Sequence, residues 1–168
     1  IEDGPAEDQV KNGASLIINI NASPYDINKS ESRKEIVKNK AAKLKVPIIY
    51  LNMVGGQDEL VFDGGSFVVD ETGEIIYQAS QFDEEVFHLD LDLLIKRSAD
   101  KSNLELRTKS LELESRVSAP TLTENESIYS ALKLGLFDYV TKNSFKKVLI
   151  GISGGIDSAL TAAICVEL

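Results

Sequence analysis

The chain has 168 residues, 43% of them hydrophobic and 27% charged, the balance expected of a globular protein in water. Its formal net charge of −9 disfavours a nucleic-acid-binding surface, which needs a basic face to displace phosphate counterions. One cysteine excludes an intrachain disulfide and fits a reducing cytoplasm, one histidine argues against a Cys/His zinc cluster, and no apolar run approaches the roughly 20 residues of a membrane-spanning helix.

The opening Ile1-Glu2-Asp3-Gly4-Pro5 has no initiator methionine and no basic or apolar signal region, as expected of a piece of a longer protein. Residues 14–20 read as a buried strand, followed by a loop at Asn21-Ala22-Ser23-Pro24-Tyr25, where Pro24 keeps Ser23 out of helical angles. Residues 30–45 read as a charged helix with apolar positions at Ile36, Val37, Ala41 and Leu44. Residues 46–52 form a second buried strand. Gly55-Gly56 and Gly64-Gly65 punctuate the next stretch, around an acidic group of Asp58, Glu59 and Asp63 whose ordinary reading is a solvated loop. Residues 66–70 and 75–78 read as a hairpin, and residues 86–91 alternate like an edge strand.

Texture changes from about residue 93. Residues 95–116 are rich in Lys, Ser, Glu and Arg, and Pro120 breaks any helix, so 93–123 reads as a linker or exposed arm. Order returns at Thr123, a helix cap with Glu126 in the capping-box position. Ile128, Leu132, Leu136 and Tyr139 then recur at helical spacing up to Asn143-Ser144. Residues 147–152 are continuously apolar, the pattern of a strand buried in a parallel sheet, and residues 158–168 form an apolar helix.

Between that strand and that helix stands Ser153-Gly154-Gly155-Ile156-Asp157-Ser158. The glycines permit positive φ and let the backbone approach an anion. Successive amides and the helix N-terminus then face phosphate oxygens, with Ser153 and Ser158 as further donors. Asp157 would be repelled by phosphate, so its natural role is to hold Mg²⁺ against it. The Gly-Lys-Ser/Thr ending of a Walker A loop is missing. The loop resembles the PP-loop of the ATP pyrophosphatase superfamily, whose members adenylate a substrate and release pyrophosphate. That resemblance implies ATP binding by Gly151, Ile152, Ser153, Gly154, Gly155, Ile156, Asp157 and Ser158.

The flanks narrow it. Residues 128–147 with the loop look like the start of an NAD synthetase domain. Asn21-Ala22-Ser23-Pro24-Tyr25 with Lys29, and the stretch from Asn52 to Ser66, look like the second half of a nitrilase-type glutaminase domain. In this order they resemble the glutamine-dependent NAD synthetases. The fold implied is α/β: the C-terminal half of an α-β-β-α sandwich over residues 1–92, a linker over 93–123, and the opening of a Rossmann-like PP-loop domain over 124–168. The activity implied is amidation of deamido-NAD by ammonia drawn from glutamine, with ATP and Mg²⁺, in a homo-oligomer without nucleic-acid or membrane partners. Ser23 and Lys29 match the family's glutamine contacts. The family's catalytic glutamate, lysine and cysteine are expected upstream of Ile1, so this piece alone is expected not to hydrolyse glutamine. Cys165, on an apolar helix, reads as an inert buried thiol and His88 as a structural or surface histidine. Two other readings stay open on the residues: another PP-loop adenylating enzyme, and a non-catalytic remnant of the fold.

Overall fold

The computed structural model describes residues 4–91, 94–95 and 119–167. Most of the expected arm, residues 96–118, lies outside them. In chain order the elements are α1 (Pro5–Lys11), β1 (Ile17–Asn21), α2 (Lys29–Leu44), β2 (Ile48–Asn52), β3 (Val54–Gln57), β4 (Leu60–Asp63), β5 (Phe67–Val69), β6 (Ile75–Gln78), α3 (Glu124–Lys142) and α4 (Ile156–Val166).

The four-stranded sheet runs β1-β2-β5-β6. β1 and β2 are parallel, joined through α2 as a parallel pair requires, and the other two ladders are antiparallel. Alternation along the strands divides the core. Ile48, Tyr50, Phe67 and Val69 pack with Val37 and Ala41 of α2, while Ile49, Val68, Ile76 and Tyr77 pack with Ala79 and Leu94. Both faces of β2 are thus covered, which is why residues 46–51 are apolar without interruption. Gly73, at φ +91°, turns the β5–β6 hairpin, and Asp70 Oδ1 accepts from the N–H of Thr72 and of Glu74.

β3 and β4 form a separate antiparallel ribbon, with Asp58 in the left-handed region at its tip. α3 lies against this ribbon. Its start follows the expected capping box, Thr123 Oγ1 accepting from Glu126 N–H while Glu126 accepts from Thr123 N–H. Those bonds, the backbone one foremost, hold the Glu126 carboxyl below its ordinary value.

The structure corrects several expectations. α1 and the β3–β4 ribbon are additional elements, the second hidden behind glycines that read as punctuation. Ile36 is 63% exposed, off the buried stripe of α2. Residues 86–90 form no strand. The outer edge of β6 is met instead by Ala119, whose N–H donates to Gln78 O, and residues 85–87 are held by side chains: Glu85 accepts from Tyr77 Oη and Ser80 N–H, and Phe87 stacks on Tyr77 at 4.1 Å. Residues 147–152 are also no strand, and Leu149 is fully exposed. A strand exists through its ladder, and no described strand lies alongside this one.

Candidate functional site

The loop carrying Ser23 is fixed from behind by a buried polar network. Asn52, at the end of β2, reaches across with its side chain: Oδ1 accepts from Ser23 N–H at 2.9 Å and Nδ2 donates to Ser23 O at 3.3 Å. The same Nδ2 also faces Asp63 Oδ1 and Gly64 O. Asp63, 1% exposed, pairs with Arg33, whose Nη2 lies 2.7 Å from Oδ1 and Nη1 3.3 Å from Oδ2. Arg33 Nη2 also lies 3.5 Å from Pro24 O, Gln81 Nε2 donates to Asp63 Oδ2, and Tyr25 N–H donates to Val61 O at 2.7 Å. Asp63 is therefore no solvated loop residue, unlike the exposed Asp58 and Glu59 beside it in sequence. A carboxylate this buried persists because a guanidinium fork and two amides saturate its oxygens.

Lys29 opens α2, half-buried, with no acidic partner among the described residues. It stands one turn before Arg33 on the same helix face, the face tied to Pro24. A lysine at a helix N-terminus faces the positive end of the macrodipole, so the helix gains nothing from it, and both charges favour an anion there.

The second candidate is the loop of residues 151–158. Gly154 takes φ +87°, a conformation only glycine adopts cheaply, and Gly155 caps α4. Ser153 and Ser158 close the loop on itself: their hydroxyls lie 3.1 Å apart, Ser153 N–H donates to Ser158 Oγ, and Ser158 Oγ donates to Gly155 O. A Cβ added at Gly151 or Gly154 would meet nothing within 4 Å, and residues 151–157 are exposed. The corner is therefore open to an anion from solvent. Asp157 stands exposed in the first turn of α4. A single carboxylate suits Mg²⁺ completed by phosphate oxygens and water, and no group of three or more metal-binding side chains occurs among the described residues. Cys165 is a free thiol, half-buried where a buried one is expected, and His88 is exposed, the surface alternative.

The two regions meet through α3. Ser127 Oγ donates to Tyr25 Oη at 2.9 Å. Asp138 accepts from Gly56 N–H at 2.7 Å, and Lys142 donates to Gly56 O at 2.6 Å. Burial pushes the Asp138 carboxyl up, but the Gly56 amide and the Lys142 ammonium outweigh it and leave it below its ordinary value.

The family model for carbon-nitrogen hydrolases matches residues 8–97, more than half of the chain. The chain belongs to the carbon-nitrogen hydrolase family. Beyond that carbon-nitrogen hydrolase portion, the NAD synthase family model matches residues 128–168. The chain is 44% identical over 173 residues to a glutamine-dependent NAD(+) synthetase of Thermotoga maritima, covering 92% of this chain and 30% of that protein. It is 39% identical over 183 residues to the synthetase of the same name from Aquifex aeolicus, covering 98% of this chain and 32% of that one. Among solved structures, the glutamine-dependent NAD+ synthetase of Acinetobacter baumannii, in complex with adenosine diphosphate, superposes with a TM-score of 0.77 at 35% identity, over 96% of this chain and 28% of that one. The chain thus spans about a third of the length of these curated relatives. The expected fold class stands: a carbon-nitrogen hydrolase part in a mixed α/β arrangement, followed by a segment of NAD synthase type.

Sequence reasoning found the two loops and missed what holds the first one. Arg33, Asn52, Asp63 and Gln81 join residues up to 30 positions apart, and spacing alone carries no trace of that. One signal was available: Arg33 falls in register with Val37, Ala41 and Leu44, a charge on the buried stripe of its helix.

Proposed function

We propose that this chain is part of an enzyme that amidates deamido-NAD to NAD with ATP and glutamine. Ser23 and Lys29 bind glutamine, and residues 151–158 bind ATP. The observation that carries the reading is that one chain holds both loops in the order of the named synthetases, with the phosphate loop open and Gly154 left-handed.

In this reading the nicotinate carboxylate of deamido-NAD attacks the α-phosphorus of ATP, forming an adenylate and expelling pyrophosphate. The N–H groups of the Gly154–Gly155 corner, the dipole of α4 and the hydroxyls of Ser153 and Ser158 face the β- and γ-phosphates, where the departing charge gathers. Asp157 is the residue that would hold Mg²⁺, whose chemistry is to neutralise those oxygens. Ammonia then attacks the acyl carbon and AMP leaves. Upstream, Lys29 and the N-terminus of α2 attract the α-carboxylate of glutamine, and Ser23 hydrogen-bonds it. Residues 1–92, 93–123 and 124–168 divide accordingly into a glutaminase portion, a linker and a synthetase portion.

The test is ATP–pyrophosphate exchange by the enzyme at its natural full length. Exchange should require deamido-NAD and fall at least tenfold in Ser153→Ala. Exchange that proceeds with another carboxylate and not with deamido-NAD would assign the protein to a different adenylating enzyme.

A further inference from the structure

We infer that Asn52 is a positioning residue for glutamine, acting through the backbone of Ser23; this rests on the reading of Ser23 as a glutamine contact. Asn52 is buried, 8% exposed, and its carboxamide meets Ser23 as a neighbouring strand would, accepting from its N–H and donating to its C=O. A residue held by both its N–H and its C=O has the peptide planes on either side of its Cα fixed, where a single bond would leave one of them free. Pro24 restricts the next φ, so the Ser23 side chain leaves the backbone in a set direction.

The amide itself cannot turn. Its own backbone is clamped by Ser66, whose Oγ accepts from Asn52 N–H at 3.0 Å and lies 3.4 Å from Asn52 O. Its Nδ2 faces Asp63 Oδ1 and Gly64 O as well as Ser23 O, so a flipped amide would set oxygen against three oxygens. The orientation that serves Ser23 is therefore the one the surrounding acceptors impose. Misplacing a binding hydroxyl by a fraction of an ångström weakens the contact without touching the groups that break bonds. Asn52 consequently acts on the KM for glutamine and leaves the use of free ammonia intact.

The experiment compares Asn52→Ala, Asn52→Ser and Ser23→Ala in the full-length enzyme, each assayed with glutamine and with ammonium chloride as nitrogen donor. The expected result is a glutamine KM raised about tenfold in both Asn52 variants, with glutamine kcat and the ammonia-driven rate within about twofold of the parent. Should Asn52→Ala fail to fold, seen as loss of the ammonia-driven rate, Asn52→Ser decides, since it keeps a polar side chain in the buried network while Arg33 and Gln81 still serve Asp63. Glutamine-driven and ammonia-driven rates falling together in Asn52→Ser, or an unchanged glutamine KM, would overturn the inference. If Ser23→Ala raises the glutamine KM while Asn52→Ser leaves it alone, only the role of Asn52 is lost. If Ser23→Ala leaves it alone, the glutamine reading of this loop is lost with it.

Discussion

At the scale of single residues, Gly154 and the Arg33–Asp63 pair make contrasting demands. At Gly154 the space is empty and the backbone angle is the constraint. Gly154→Ala should therefore cost about 1–2 kcal/mol in loop conformation, raising the KM for ATP while leaving the thermal midpoint of the sheet nearly unchanged. For Asp63 the constraint is burial: Arg33→Ala strands a carboxylate that is 1% exposed. Removing one partner of such a pair costs about 3–5 kcal/mol, which urea unfolding would register as a lowered midpoint at constant slope. The loop glycine was legible in the sequence because a glycine pair between an apolar run and a helix is a local pattern. The ion pair was not, because its members lie 30 residues apart and only the fold makes them neighbours.

At the scale of elements, what was legible followed the same division between local and remote. β1, β2, β5, β6 and the capped α3 were readable from period and turn chemistry. The stretch at 147–152 has a strand's composition, but a ladder partner is not a property of composition. The β3–β4 ribbon was obscured because its glycines serve contact with a helix. A Cβ at Gly56 would lie 3.0 Å from Gly135 Cα and 3.2 Å from Asp138 Cβ. Gly56→Ala should accordingly destabilise by about 1–3 kcal/mol, as overpacking against backbone does. Gly135→Ala meets only a Val61 methyl, at 3.0 Å, and gains about 1 kcal/mol of helix propensity, so its unfolding midpoint should stay close to the parent's. α1 adds a pH dependence. Glu7 joins it to α2 through Lys40 at 2.7 Å, and that bond foremost, with the Glu7 and Gly4 amides, lowers its pKa from 4.5 to about 2. A depressed carboxyl contributes stability above its unfolded value and loses it as pH falls through the folded one. The difference in thermal midpoint between the parent and Glu7→Gln should thus be full above pH 4.5 and close towards pH 2.

At the scale of the whole molecule, no helix among the described residues is long and apolar enough to cross a membrane. Apolar side chains are nonetheless uncovered around the loop of residues 151–158, with Leu149 at 100%, Ile156 at 82% and Ile152 at 60% exposure. A patch of this kind drives association. The 168-residue chain should show concentration-dependent light scattering, reduced in Leu149→Lys. The Ser23 loop is bonded to α3 through Tyr25 and Ser127, and α3 is seated on the ribbon in part through Gly56, whose N–H is taken by Asp138 and whose C=O is taken by Lys142. Gly56 spends its amide hydrogen on the Asp138 carboxylate rather than on solvent. That hydrogen is a built-in reporter: in deuterated water it should exchange slowly while the two portions stay docked and rapidly once they part, so one resonance in a spectrum can follow the separation of the halves under any ligand.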